Sequence, residues 1–134
     1  MRDIRLTPKQ RLAILQATRT NLARPRGWVK GVFRKTYDDG EIGYCLAGAA
    51  KHEAGRLYPD RFTYVDESRL VKALSLDALA QAKLAHDRDR ESADKAGSGY
   101  VFTFRFNDRS KTRKRDVLAL LDEKIAETQA EVAS

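Results

Sequence analysis

Apolar residues recur every three to four positions in several stretches of the chain, which is the spacing of a helix with one buried face. The first stretch follows TPKQ, where Thr7 is placed to cap a helix, Pro8 suits its first position and Gln10 completes a capping box. The helix should end at RPRG, because Arg24 precedes a proline and a glycine follows. The sequence therefore predicts a helix that ends near Ala23, with its apolar stripe at Leu12, Ile14, Leu15 and Leu22.

Four further helices are predicted along the chain. The first begins near Cys45 and carries small or apolar residues on most faces, so it should lie deep, with neighbours packed closely against it. A short helix follows, and Ser75 is placed to cap the next one. The last helix should begin near Thr112. The apolar positions of these three helices are Leu70, Val71 and Leu74; Leu76, Leu79 and Leu84; and Val117, Leu118, Leu121, Ile125, Thr128 and Val132.

Two segments favour β-structure. In residues 28–44, two β-prone stretches flank Asp38-Asp39-Gly40, which places glycine where a turn needs a left-handed residue, and a short hairpin is predicted. In YVFTFRFN, the aromatic residues occupy every second position, so a strand is predicted over residues 100–106. A turn at Pro59-Asp60 should lead into an extended piece over residues 62–65, and residues 86–99 should form a solvated helix end and a loop.

Together these elements predict an α+β fold that is predominantly α, with four to five helices and a small β element made of the hairpin and the strand. A chain of 134 residues with 42% hydrophobic and 34% charged residues suits one globular domain over residues 1–134. A single cysteine excludes an internal disulfide framework, and the sequence has neither a secretory signal nor a membrane-spanning stretch. We therefore expect a cytoplasmic protein that does not act at a membrane.

The net charge of +7 is unevenly distributed. Residues 1–35 hold ten Lys and Arg residues against the single acid Asp3, and RSKTRKR at 109–115 places five cations in seven residues at the start of the last helix. A helix N-terminus is electropositive and repels cations, whereas backbone N–H groups, helix dipole and cations would together attract an anion such as a phosphate. The candidate anion-binding residues are Arg105, Arg109, Lys111, Arg113, Lys114 and Arg115, with Lys30, Arg34 and Lys35 and the nearby Arg24 and Arg26 from the first segment.

Several short motifs follow one another in a particular order. Trp28 and Gly31 are followed by CLAGAA from Cys45, then by Phe106-Asn107-Asp108, and finally by Thr112, Val117, Leu120 and Leu121. This arrangement resembles an uncharacterised domain family of actinobacteria and their bacteriophages, and the match skips roughly residues 58–99. The resemblance implies a compact, mostly helical fold of phage origin and a small accessory protein that acts on a host component. It implies no reaction and no catalytic residues.

Cys45 is the one candidate nucleophile, because a cysteine at a helix N-terminus gains thiolate character. His52 lies seven residues further on, about 10 Å along the axis at a rise of ~1.5 Å per residue, so it cannot activate the thiol. His86, the only other histidine, falls in a segment predicted to face solvent. We favour the alternative that Cys45 is a small apolar residue that permits close helix packing.

Other catalytic patterns are weak. KHEAG lacks the second histidine of a zinc-protease motif, and GSG at 97–99 neither follows a strand nor opens a helix, so we expect no metal, nucleotide cofactor or small-molecule substrate. The nineteen acidic residues show no pattern that would identify a catalytic pair. The aromatic residues at 100–106 either stack nucleic-acid bases or face the core, and we favour the core because a protein this size needs them inside.

These observations predict a small non-enzymatic binding protein. Its leading partner is a polyanion, with nucleic acid slightly favoured, recognised through the two basic segments. One alternative is a modulator that binds a host protein through the acidic last helix or the hairpin near Trp28, and a further alternative is a Cys45-dependent hydrolase. The basic cluster also has a simpler interpretation as a solvated group of charges whose carbon stems cover apolar surface.

Overall fold

A computed structural model describes residues 4–62, 66–85 and 101–134. The fold is α+β and predominantly α, as predicted from the sequence, and the described residues contain seven helices rather than four to five. The two strands are β1 (Arg34–Thr36) and β2 (Ile42–Tyr44). The helices are α1 (Pro8–Ala23), α2 (Leu46–Leu57), α3 (Pro59–Phe62), α4 (Glu67–Ala73), α5 (Leu76–Ala85), α6 (Val101–Asp108) and α7 (Lys114–Ala133).

Helix α1 begins with the predicted capping box. The Gln10 backbone N–H donates to Thr7 Oγ1 at 3.1 Å, and the Thr7 N–H donates to Gln10 Oε1 at 3.0 Å. α1 packs along α7, and the two helices are antiparallel. Two ion pairs show this orientation: Arg11 pairs with Glu131 at 2.6 Å, and Arg19 pairs with Asp122 at 2.5 Å. The start of α7 therefore lies beside the end of α1.

Helix α2 forms the centre of the core, as its small residues predict. Its buried apolar residues are Leu46, Ala47, Ala49, Ala50 and Ala54, and α1, α3, α4 and α6 all pack against it. Alanines keep the α2 backbone close to these neighbours, so that the larger side chains of the other helices fill the space around it. Those side chains include Ile14, Leu15, Leu22, Leu70, Val71, Leu74, Phe106, Leu120 and Leu121.

The predicted hairpin is present and short. β1 and β2 pair antiparallel with Lys35 opposite Gly43, and Gly40 adopts φ +87° in the turn between them, a conformation that glycine reaches at little cost. On its other side β2 meets the segment around Trp28, because the Val29 N–H donates to the Tyr44 carbonyl and the Tyr44 N–H donates to the Gly27 carbonyl.

The strand predicted over residues 100–106 is wrong. Residues 101–108 form α6, and Tyr100 lies outside the described residues. In this helix Phe106 is buried, and Phe104, two residues before it, lies on another face, with its ring centroid 6.5 Å from that of Phe33. The aromatic residues therefore occupy two faces of a helix rather than one face of a strand. β-propensity mostly reflects surroundings, and here packing against α5 decides the conformation.

The remaining elements differ from the predictions in detail. α7 begins at Lys114, two residues after the predicted start, and Leu120 joins its buried stripe. Phe62, expected in an extended piece, ends α3 and is buried; residues 63–65 and the loop predicted at 86–99 lie outside the described residues. Ser75 precedes α5 as predicted, but adopts φ +59°, a left-handed conformation uncommon for a residue other than glycine.

Candidate functional site

Asn107 holds together three segments that are distant in sequence. Its side chain is 1% exposed, and its Oδ1 accepts hydrogen bonds from Trp28 Nε1 at 2.6 Å and from the Leu46 backbone N–H at 3.0 Å. Its Nδ2 donates to the Val29 carbonyl at 3.0 Å. The end of α6, the segment around Trp28 and the first turn of α2 are therefore fixed to one another by a single amide.

Asp108 and Lys30 extend this junction to the surface. Asp108 Oδ1 accepts from the backbone N–H of Gly31 at 2.9 Å, and Gly31 adopts φ +81°. Lys30 Nζ donates to the carbonyl oxygens of Arg109 and Ser110, at 2.8 Å and 3.4 Å. The two basic segments of the sequence are thus joined at this point, between the Trp28 segment and the α6–α7 connection.

Arg109 and Lys114 of the 109–115 cluster contact other parts of the protein. Arg109 lies over the Phe106 ring, 4.8 Å from its centroid, and its Nε donates to Thr112 Oγ1 at 2.6 Å. Lys114 Nζ donates to the carbonyls of Ala23 and Arg24 at the end of α1. Lys114 belongs to the start of α7, but its ammonium group lies at the electronegative C-terminus of α1, where the helix dipole favours a cation.

The other cations of the cluster are more exposed. Arg113 is the N-cap of α7, and its backbone N–H donates to Asp116 Oδ2 at 2.8 Å. Arg105, Lys111, Arg113 and Arg115 are all exposed. We call the exposed cations Lys30, Arg105, Lys111, Arg113 and Arg115 the basic surface.

The remaining cations of the first segment lie elsewhere. Arg24 donates to Asn21 and to the Ile42 carbonyl, which ties the end of α1 to the hairpin. Arg26 pairs with Asp39 and lies over the Tyr37 ring, and Lys35 also lies near that ring. Arg34 is exposed on β1. In the part of the chain that the structure describes, no hydrogen bond or ion pair joins Arg34 or Lys35 to the 109–115 cluster.

Cys45 is the N-cap of α2 and is 2% exposed. Burial raises the pKa of its thiol, an effect that outweighs the N–H groups of Gly48 and Ala47 at the helix start, and nearby Asp108 raises it further. His52, the histidine excluded as its base, stacks on Tyr44 with ring centroids 4.9 Å apart. The surroundings of Cys45 suit a protonated packing residue rather than a thiolate nucleophile.

Sequence reasoning missed a buried carboxylate. Glu53 is 6% exposed, and it accepts hydrogen bonds from Asn21 Nδ2 at 3.0 Å and from Arg56 Nε at 2.9 Å. It lies at a polar depression of about 660 Å³ that Arg24 and His52 also line. The only signal in the sequence is an acid within the small-residue helix. Across the described ranges, no group of three acidic, His or Cys side chains is arranged to hold a metal ion.

The fold and the junction at Asn107 define a small, mostly helical α+β protein with cations gathered at one helix connection. The chain belongs to a family of unknown function, DUF6197, whose model matches residues 6–127. No curated protein and no solved structure matches it significantly. Among the described helices, none combines the length and the apolar composition that a membrane span requires.

Proposed function

We propose that this protein is a non-enzymatic binding protein that recognises a polyanion, with nucleic acid favoured, through the basic surface. One observation carries the proposal: Lys30 is hydrogen-bonded to the carbonyls of Arg109 and Ser110. Two basic segments, 79 and 80 residues apart in the chain at these two contacts, therefore contribute to one surface. Cations that converge from separate segments suit a phosphate backbone better than an isolated run of charge does.

The local carboxylates support this proposal. Asp108 accepts hydrogen bonds from the Gly31 N–H and from Asn107 Nδ2, and Asp116 accepts from the Arg113 N–H. The donors to Asp108 and Asp116 in these hydrogen bonds are uncharged amide groups. Within the described residues, the side chains of Arg105, Arg113 and Arg115 form no ion pair with Asp108 or Asp116. Their charges remain available to an anion, and α7 adds the positive end of its dipole.

A matched pair of double variants tests the proposal. Arg113→Gln with Arg115→Gln removes two charges from the basic surface, and Arg5→Gln with Lys9→Gln removes two exposed charges beside the opposite end of α1. Binding to a fluorescein-labelled DNA duplex is measured by anisotropy from about 50 to about 200 mM salt. The first variant should weaken binding roughly tenfold and reduce the salt slope by about 2, whereas the second should change both much less.

Three results would contradict this proposal. The wild-type protein could bind neither duplex DNA nor a single-stranded RNA of the same length at low salt. Its affinity could be independent of salt, which would exclude phosphate contacts as the source of binding. The two double variants could weaken binding equally, which would indicate a response to net charge rather than recognition by this surface.

The place of action is also part of the proposal. The motif resemblance to proteins of actinobacteria and their phages favours a phage-encoded accessory factor whose target is a host macromolecule. The buried, free Cys45 suits a reducing compartment, so we place the protein in the cytoplasm, which would be the host cytoplasm for a phage protein. Affinity purification from an actinobacterial lysate, with and without nuclease, tests this: a nucleic-acid target is lost on nuclease treatment, and a protein target is retained.

A further inference from the structure

A groove lies beside the hairpin, and none of the residues that line it belongs to the basic surface. It has a volume of about 410 Å³, and its walls include Phe33 from the segment before β1, Tyr44 from β2 and Phe62 from α3. Phe33 is 38% exposed and its neighbour Val32 is 47% exposed, and these two are the large hydrophobic side chains most exposed in the described part of the chain. Adjacent exposed apolar residues at the mouth of a groove are typical of an interaction site.

Two glycines of α2 line this groove, for different reasons. A side chain at Gly48 would collide with the carbonyl of Phe33, so the approach of the chain before β1 requires glycine there. A Cβ at Gly55 would meet nothing within 4 Å. Glycine inside a helix is less favourable than alanine, and packing gives no reason for a glycine at Gly55. Its effect is to leave the groove open.

β1 forms one edge of the hairpin, and its outer side is unpaired. The Cys45 N–H donates to the Phe33 carbonyl and the Tyr37 N–H donates to the Glu41 carbonyl, so residues 33, 35 and 37 bond to β2. The backbone groups of Arg34 and Thr36 therefore point away from β2, and in the described structure β1 pairs with no other strand. The outer side of β2, by contrast, is covered by the Trp28 segment.

The rim of the groove carries Arg34, which forms no ion pair with any described residue. Lys51 lines it with Glu67, to which Lys51 is paired at 3.2 Å. Lys35 follows Arg34 on the same strand, with its side chain on the opposite face, near the Tyr37 ring. The one carboxylate on the rim is thus matched by a lysine, which leaves Arg34 at the groove and Lys35 on the other face of the same edge strand to attract an acidic partner.

We propose that the hairpin binds an extended, acidic peptide segment of another protein. The peptide adds a strand to β1 through the backbone groups of Arg34 and Thr36 and places one apolar side chain in the groove above Gly55. Addition of a strand to an exposed edge is a common mode of peptide recognition, in which the main chain provides affinity and a pocket provides specificity. An open edge, an apolar pocket and cationic neighbours each match one part of this ligand.

A random heptapeptide display library selected on the full protein provides the probe. Enriched peptides should combine acidic residues with one large apolar residue, and the best of them is resynthesised for binding measurements. Gly55→Leu fills the groove and should weaken binding at least tenfold (~1.4 kcal/mol), while Thr36→Pro removes an outward N–H and should weaken it comparably. Because leucine is a better helix former than glycine, Gly55→Leu should not lower the melting temperature, so loss of binding cannot be ascribed to unfolding.

Several outcomes overturn the proposal. They are a selection that enriches no peptide, enriched peptides that are basic or neutral, and enriched peptides that bind Gly55→Leu as well as the wild type. Arg113→Gln with Arg115→Gln provides the control, because these residues lie outside the groove and should change peptide affinity less than about threefold. Loss of peptide binding in this control would transfer the site to the basic surface and overturn the assignment to the hairpin.

Discussion

At the scale of single residues, Asn107 has a large expected effect on stability. Replacement by alanine leaves Trp28 Nε1, the Leu46 N–H and the Val29 carbonyl without their partner. A buried polar group left unsatisfied costs about 1–3 kcal/mol, so Asn107→Ala should lower the free energy of unfolding by at least ~2 kcal/mol in urea titrations. The exposed Ser110→Ala is the control and should change it by less than ~0.5 kcal/mol. A loss below ~1 kcal/mol for Asn107→Ala would show that the junction does not depend on this amide.

Cys45 provides a second test at this scale. A buried thiol whose pKa is raised reacts only when the protein opens, so native Cys45 should be alkylated by iodoacetamide at least ~100-fold more slowly than in the urea-unfolded chain. Mass spectrometry of timed samples gives both rates. Native labelling as fast as that of a small free thiol would revive a nucleophilic role for this residue.

At the scale of elements, α6 depends on a contact that α5 provides. Asp77 Oδ1 accepts from both the backbone N–H and the hydroxyl of Thr103, in the first turn of α6, where N–H groups lack partners within the helix. Asp77→Ala should therefore destabilise the protein by about 1–2 kcal/mol, the usual cost of a lost helix cap. Asp77→Asn keeps an acceptor and should cost less. Equal losses in the two variants, measured by urea denaturation, would argue against this contact.

The same carboxylate predicts a pH dependence. Burial raises the pKa of Asp77 above its ordinary value of 3.8, although the two donors of Thr103 oppose the shift. The folded protein then binds this proton more tightly than the unfolded chain does. As the pH rises from the unfolded pKa to the folded pKa, the stability of the wild type should fall relative to Asp77→Asn, and above that interval the difference should be constant. Parallel denaturation series at stepped pH measure it, and a difference that rises with pH has the wrong sign.

Elements that are specified by neighbouring residues could be predicted from the sequence, whereas the helical conformation of α6 could not. The capping box at Thr7 and Gln10 and the turn at Gly40 are read from neighbouring residues, and both are present. The alternating aromatic residues before Asn107 fit a strand equally well locally. They form a helix because Asp77 and the rest of α5 pack against them. Asp77 is 26 residues away from Thr103 in the sequence, so a local periodic pattern could not reveal this contact.

At the scale of the whole molecule, the sequence indicated the basic cluster, but it did not indicate which of its cations contact the protein and which face solvent. The hydrogen-bond partners of Asn107 outside α6 lie 61, 78 and 79 residues away, and those of Lys114 lie 90 and 91 residues away. The partners of Lys114 depend on the antiparallel packing of α1 against α7, and those of Asn107 depend on how α6 meets α2 and the Trp28 segment. A helical stripe specifies neither arrangement. The groove beside β1 was missed for a similar reason, because its lining residues come from β1, β2, α2, α3 and α4.

Neighbouring cations should therefore separate into two functional groups. Lys114 donates to two carbonyls at the end of α1, so Lys114→Met should lower the free energy of unfolding by about 1 kcal/mol while leaving the salt slope of DNA binding nearly unchanged. Arg113→Gln with Arg115→Gln should do the reverse: it reduces the slope, and it leaves stability within ~0.5 kcal/mol because neither side chain is buried.

Urea titration and anisotropy on the same preparations compare the two groups directly. If Lys114→Met instead weakens DNA binding as strongly as the double variant and leaves the unfolding midpoint unchanged, then Lys114 serves the anion rather than α1. The anion site would then extend from the start of α7 to the end of α1, where Arg24 would be the next cation to test. In that case Arg24→Gln should reduce the salt slope of DNA binding further. If Lys114 instead serves α1, Arg24→Gln should lower stability alone, because it removes the contacts of Arg24 with Asn21 and Ile42.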